Sequence, residues 1–194
     1  GNPVELAREY NAQGADELVV LTVSSAMSGT YQVALQAAAQ VEVPVAMIDS
    51  KGPTMTLGWQ VLAAARARDA GADARAIVDC AANARARMVQ YVGMDTLEYL
   101  QRGGRIGNAI KWVGTMLQVR PLVKINHASG LVEPVTLART HKALVNSMYT
   151  RFFEDLAGGK NLHIAVLHGD CEDAARELAG RIRLAREAGI TEIF

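Results

Sequence analysis

The chain has 194 residues, of which 50% are hydrophobic and 21% are charged, as expected for a globular protein with one good core or two small ones. Lys and Arg number 20, as do Asp and Glu, so the formal net charge of zero provides no overall basic field for nucleic acid or an anionic membrane. No apolar stretch reaches the roughly 18 residues needed to span a bilayer. Cys80 and Cys171 lack metal-ligand spacing, which favours two reduced, buried thiols in a cytoplasmic protein.

The first half of the sequence alternates predicted helices and buried strands. Asn2, Pro3 and Glu5 fit the start of a helix that reaches about residue 13. Apolar, β-branched runs predict strands over 17–23 and 44–48, and helices are predicted over 28–40, 54–70 and 73–87. This alternation predicts βαβ units on a parallel sheet, and hence a parallel-sheet α/β/α domain over residues 1–87.

The pattern changes after residue 87. Two alternating segments, 121–126 and 131–138, flank a polar turn and predict an antiparallel hairpin. The other predicted elements are strands at 88–92 and 162–167, a strand just beginning at 190–194, and helical segments at 96–102, 108–117, 140–156 and 171–188. We therefore predict a second α/β domain over residues 88–194, with a mixed sheet containing the hairpin. The two ends of the chain lead us to expect that outer segments of both domains are missing.

A serine-rich loop at 24–31 (SSAMSGTY) follows the first predicted strand and opens a helix. Ligands of open α/β sheets collect at this edge, and the unpaired amides of a helix's first turn favour an anion. The sequence therefore predicts that Ser25, Ser28, Gly29 and Thr30 bind a carboxylate or phosphate, with Gly29 letting the ligand approach the backbone. The alternative is that Ser28 merely caps the helix, which explains one hydroxyl of the loop but not four.

Enzymatic alternatives have less support. A nucleophile elbow (G-x-S-x-G) is absent, and nothing in the sequence places His168 or Asp170 near Ser25 or Ser28 to complete a triad. Neither a Walker A loop nor GxGxxG occurs, so ATP or NAD binding has no direct support.

Three arginines form a second candidate site. Arg102 and Arg105 flank the pair Gly103-Gly104, and Arg139 ends the second strand of the hairpin. Arg102 is explained by the dipole at a helix C-terminus, whereas Arg105 lies beyond the helix and suits bidentate capture of phosphate or a partner's carboxylate.

Scattered flexible side chains suggest an apolar slot, although core packing is the better expectation for each of them singly. The candidates are Met27, Ile110, Met116 and Leu117. His127, in the predicted hairpin turn, is expected to be solvated.

Several segments resemble the DegV family. Residues 24–32 (SSAMSGTYQ) resemble its S-S-x-x-S-G-T-Y-Q segment, and residues 97–106 (LEYLQRGGRI) resemble its L-E-Y-L-x-x-G-G-R-I segment. The VAMIDS run at 45–50 resembles the family's strand ending in Asp-Ser, and the RPLV and Arg139-Thr140 positions resemble those of its hairpin. The family's T-S-Q-P-S and H-x-G-P-G segments, whose Thr and His complete its head-group site, do not occur in this sequence.

The resemblance implies a non-enzymatic, lipid-binding carrier of two α/β domains, with one long-chain fatty acid as its ligand and no cofactor or metal. The carboxylate would meet the serine loop, and the acyl chain would fill an apolar tunnel between the domains. It further implies that a separate bacterial fatty acid kinase converts the bound acid to an acyl phosphate for phospholipid synthesis, with Arg102, Arg105 and Arg139 contacting the kinase or the new phosphate. Membrane contact would be transient. The alternatives are a small-carbonyl phosphotransferase, because dihydroxyacetone kinases share a related fold, and a hydrolase using Ser28.

Overall fold

The computed structural model describes residues 2–114, 119–156, 159–185 and 190–193. The helices are α1 (Pro3–Ala12), α2 (Thr30–Ala38), α3 (Met55–Asp69), α4 (Ala74–Ala86), α5 (Glu98–Arg102), α6 (His141–Asp155) and α7 (Glu172–Leu184). The strands are β1 (Leu18–Thr22), β2 (Val45–Asp49), β3 (Tyr91–Gly93), β4 (Arg120–Asn126), β5 (Leu131–Ala138), β6 (Leu162–Ile164) and β7 (Ile190–Ile193). A 3-10 helix spans Gly107–Trp112.

The predicted βαβ arrangement is confirmed in the first half of the chain. Strands β1 and β2 pair in parallel, from Leu18 opposite Val45 to Thr22 opposite Asp49. Helix α4 packs on both strands and on α3. Because parallel strands end at the same edge of a sheet, the loops after Thr22 and Asp49 are neighbours. The serine loop is therefore placed beside the residues that follow β2.

The predicted hairpin is also confirmed. Strands β3, β4 and β5 form an antiparallel sheet in that order, and β6 pairs with β7 in parallel. The turn between β4 and β5 is stabilised by Asn126, whose Oδ1 accepts the amides of Ala128 and Ser129 at 2.9 and 3.1 Å. Gly130 completes the turn with φ +79°, a conformation that favours glycine. The parallel and antiparallel sheets together give the predicted α/β fold class.

Polar caps explain several helix starts. The Asp73 carboxylate accepts the Ala76 amide at 2.8 Å at the start of α4, and the Thr140 hydroxyl accepts the Ala143 amide at 3.1 Å at the start of α6. Other bounds differ from the predictions: α2 begins at Thr30 and β6 ends at Ile164. The segment predicted as helical over 108–117 is a 3-10 helix ending at Trp112, and the rest of it lies partly outside the described residues.

In the part of the chain that the structure describes, hydrophobic packing occurs in three clusters of buried residues. The first consists of Leu97, Ile106, Ala109, Val123, Ile125 and Val132; we call it the hairpin cluster. A second cluster joins Leu122, Ala138 and Leu144, and a third joins Ile164, Leu178 and Ile182. Arg87 is the C-cap of α4, and the next strand belongs to a different sheet, but the division of the chain into domains at this residue stays a prediction.

The prediction of buried thiols is wrong, since Cys80 and Cys171 are both exposed, although both are free cysteines. In α4 the buried positions are Ile77 and Ala81, which lie four residues apart on one face of the helix, and Cys80 lies off that face. None of the described helices is long and apolar enough to cross a membrane.

Candidate functional site

The serine loop lies where the two halves of the chain meet. Its start is joined to the loop after β2 by hydrogen bonds from the Ser24 amide to the Gly52 carbonyl (3.2 Å) and from the Ser50 amide to the Thr22 carbonyl (3.1 Å). From the antiparallel sheet, the turn at Gly130 contacts the same loop. Residues far apart in the sequence therefore determine the loop's conformation.

Ser24 uses its hydroxyl entirely within the protein. The Ser24 Oγ donates to the Gly130 carbonyl at 3.0 Å and accepts the Ala26 amide at 3.2 Å. The residue has 0% exposure, and a hydroxyl has only one proton to donate. Ser24 is therefore a structural residue that joins the loop to the hairpin.

Ser25 is half-buried and leaves more of its hydroxyl available. Its amide donates to Asp49 Oδ1 at 3.1 Å, and its Oγ lies 3.5 Å from the Lys51 ammonium. The ammonium can only donate, so the hydroxyl accepts this hydrogen bond and keeps a proton to donate in turn. A carboxylate oxygen is a suitable acceptor for it.

Ser28 and Thr30 form a hydroxyl pair at the start of α2. The Ser28 Oγ accepts the Thr30 amide at 3.2 Å and lies 2.7 Å from the Thr30 Oγ1. Between them, Gly29 is exposed, and a Cβ added there would meet no described atom within 4 Å apart from its chain neighbours. Helix geometry leaves the next two amides of α2 without intrahelical partners. Of the four residues predicted to bind the anion, the structure thus brings the hydroxyls of Ser28 and Thr30 together beside the open backbone of Gly29.

Asp49 and Lys51 contact the serine loop at this site, although no motif of the sequence assigned them a role. The Lys51 ammonium lies 2.8 Å from Asp49 Oδ2, and the Lys51 amide donates to Asp49 Oδ1 at 3.0 Å. Burial raises the pKa of the Asp49 carboxyl, but hydrogen bonds from Lys51 and Ser25 outweigh it and hold the pKa below its ordinary value. The signal was present in the sequence, because Asp49 ends a strand that is parallel to the one before the serine loop.

Met27 connects the serine loop with the apolar interior. Its side chain packs against the hairpin cluster. Ile110, predicted to line the same slot, is 59% exposed. The other two predicted lining residues, Met116 and Leu117, lie outside the described residues.

The three predicted arginines lie in different surroundings. Arg105 Nε donates to the Met27 carbonyl at 2.9 Å. This arginine, which follows the glycine pair, therefore contacts the serine loop. Arg102 pairs with Glu98 one helical turn away at 2.6 Å. Arg139 is exposed just after β5 and has no ion pair with any of the described residues.

The structure gives no support to a catalytic serine. Ser28 bonds to Thr30, while His168 Nδ1 accepts the Cys171 amide at 3.4 Å. His127, predicted to be solvated, is instead half-buried, because the hairpin turn lies against the loop after β2, where His127 Nδ1 is 3.3 Å from the Lys51 carbonyl. Burial lowers the pKa of His127. Within the described ranges, no histidine is hydrogen-bonded to a serine of the loop.

The sequence and the fold both match known proteins. The model of the family described as "Uncharacterised protein, DegV family" matches residues 2–193. A DegV domain-containing protein of Streptomyces coelicolor is 37% identical over 185 residues, which cover 94% of this chain and 65% of that protein. The chain thus spans just under two thirds of the length of this relative.

Solved structures agree with the family match. A structure described as "Fatty Acid Binding of a DegV family Protein from Thermus thermophilus" superimposes with a TM-score of 0.88 at 28% identity, covering 99% of this chain and 67% of that one. A stearic acid-binding protein from Eubacterium ventriosum shares the fold, with a TM-score of 0.85 at 20% identity over 98% of this chain and 66% of that one. On the family match and the identity to its relatives, this chain belongs to the DegV family.

Proposed function

We propose that this chain binds one long-chain fatty acid and holds its carboxylate at the serine loop, through Ser25, Ser28, Gly29 and Thr30. The observation that carries the proposal is the group of hydroxyls around the open backbone of Gly29, at the start of a helix. The Thermus thermophilus protein of the same fold, which is described as binding fatty acid, supports it.

The two ends of the ligand require different environments. Burying a carboxylate is costly unless hydrogen bonds replace those of water, and the serine loop offers hydroxyl and amide donors. Each buried CH₂ group of the acyl chain contributes about 0.8 kcal/mol. We propose that the chain runs past Met27, which already packs on the apolar hairpin cluster, and past Ile110, Met116 and Leu117.

Native mass spectrometry of the purified protein tests this proposal. We expect one C14–C18 acid per protein, co-purified or added as oleate or palmitate, because the proposed tunnel accommodates a single chain. The control is oleyl alcohol, which keeps the acyl tail without the carboxylate and should be bound more weakly. Protein that is recovered empty and takes up neither oleate nor palmitate would contradict the proposal.

We further propose that the chain is a carrier without a catalytic centre and presents the acid to a separate ATP-dependent kinase. Arg102, Arg105 and Arg139 would contact the kinase or the acyl phosphate. Arg139 is the cleanest of the three to test, because Arg105 also bonds to the serine loop and Arg102 is paired with Glu98.

We expect Arg139→Ala to spare fatty-acid loading and to lower acyl-phosphate formation by the kinase of the same organism. One charge-assisted hydrogen bond is worth about 1.5–3 kcal/mol, so the rate at subsaturating carrier should fall at least about tenfold. Arg8→Ala, which removes an exposed arginine from α1, is the matched control and should keep the rate of the unaltered protein. Equal rates for both variants would exclude Arg139 from the contact.

A further inference from the structure

We propose that Lys51 is the charge-compensating residue of the head-group site: its ammonium neutralises the Asp49 carboxylate, which organises the serine loop and would otherwise repel a bound anion. The inference rests on the proposed function, because it concerns the same site. Lys51 is a positioning residue in this proposal, acting through Asp49 and Ser25.

Asp49 is needed to shape the loop. Its Oδ1 accepts two amides from different segments, that of Ser25 at 3.1 Å and that of Lys51 at 3.0 Å. The carboxylate therefore joins the serine loop to the loop after β2. The same contact places a negative charge one hydrogen bond away from a residue that we assign to carboxylate binding.

A negative charge at this position opposes the binding of an anion. The Asp49 side chain is only 11% exposed, so water screens it poorly, and charges interact more strongly where solvent is excluded. The Lys51 ammonium, 2.8 Å from Asp49 Oδ2, makes the pair neutral. Among the described residues, Arg85 also contacts Asp49, but its Nη1 donates to the Asp49 carbonyl at 2.7 Å and not to the carboxylate.

The Lys51 ammonium is also in contact with the proposed ligand-binding side chain. Its Nζ lies 3.5 Å from Ser25 Oγ, so that the hydroxyl accepts from the lysine and can donate to a ligand oxygen. Lys51 thus removes the repulsion by Asp49 and orients a donor towards the anion.

The backbone of Lys51 supports a role for its side chain. The residue has φ +53°, in the left-handed region that glycine adopts without cost. The conformation is held on both sides of the residue: the Lys51 amide donates to the Asp49 carboxylate, and His127 Nδ1 lies 3.3 Å from the Lys51 carbonyl. Glycine would meet the backbone requirement better, so the lysine side chain is what this position supplies.

The test is a charge-balance series read with two ligands, oleate and oleyl alcohol. We expect Lys51→Met to lower the affinity for oleate about tenfold, or about 1.4 kcal/mol, and to change that for the alcohol less than about twofold. Asp49→Asn should raise the ratio of oleate to alcohol affinity, because Lys51 is then uncompensated. The double variant D49N/K51M should return this ratio to that of the unaltered protein, since the pair is neutral again and the asparagine oxygen still accepts hydrogen bonds.

Two controls separate charge from structure. Lys51→Arg keeps the charge and should keep the ratio, and Lys160→Met makes the same substitution at an exposed lysine that is not assigned to the site. An unchanged ratio in Lys51→Met, or a double variant as impaired as the single one, would overturn the inference while oleate binding by the unaltered protein upholds the proposed function. If Lys51→Met does not fold, an unchanged ratio in Asp49→Asn is the overturning result. Unaltered protein that binds neither ligand removes both proposals.

Discussion

Gly130→Ala is expected to lower the free energy of unfolding by about 3 kcal/mol, measured by urea denaturation. Gly130 has φ +79°, which costs a residue with a Cβ about 1–2 kcal/mol. An added Cβ would lie 2.2 Å from Ser24 Oγ, so the hairpin turn and the serine loop must separate. This would break the hydrogen bond from Ser24 to the Gly130 carbonyl and leave the proton of a buried hydroxyl without an acceptor, at a cost of about 1–3 kcal/mol.

Gly104→Ala is the matched control for this clash. Gly104 has a similar φ of +70°, but a Cβ there would meet no described atom within 4 Å beyond its chain neighbours. We expect it to show only the backbone cost, about 1–2 kcal/mol. Adding Ser24→Ala to Gly130→Ala should recover part of the loss, because it removes the Oγ that clashes. Equal losses in Gly130→Ala and Gly104→Ala would show that the hairpin turn does not press on the serine loop.

Replacing Ser25 and Ser28 together by alanine is expected to weaken oleate binding about 100-fold. Two hydrogen bonds to a charged group would be lost, each worth about 1.5–3 kcal/mol, and their combined loss falls short of the sum because the other donors remain. Both side chains are only half-buried, so the free energy of unfolding should change by less than about 1 kcal/mol. Titration with a fluorescent fatty acid, checked by isothermal calorimetry, measures the change in affinity.

Ser24→Ala, in the same loop, is expected to lower stability without weakening oleate binding, which is the opposite of the result expected for the double variant. It removes a hydroxyl that is fully used inside the protein, so stability should fall while the folded protein still binds oleate. If Ser24→Ala weakened binding as much as the double variant, the division of the serines into structural and ligand-binding residues would be wrong.

Gly29→Ala tests whether the ligand approaches the backbone. Gly29 has φ −69° and open space around it, so the fold should tolerate the added methyl group, but oleate binding should weaken.

Much of the fold was predictable because its signals are local. The alternation of apolar runs with capped helices indicated the parallel pair β1–β2, and the polar turn between alternating segments indicated the hairpin β4–β5. The errors also have local reasons. Cys80 lies off the buried face of α4, and no short motif indicated that His127 would be held against the Lys51 carbonyl.

By itself, the sequence determined the fold class, the family and the position of the loop proposed to bind an anion, because motif spacing and hydrophobic periodicity are properties of neighbouring residues. Only the tertiary structure decided how the hydroxyls of that loop are used. The Ser24 hydroxyl donates its proton to the carbonyl of Gly130, which is 106 residues away. The position of Ser25 is fixed by a hydrogen bond from its amide to Asp49, which is 24 residues away. A hydroxyl's single proton goes to the acceptor that folding brings within reach, so its role depends on contacts that no local pattern encodes.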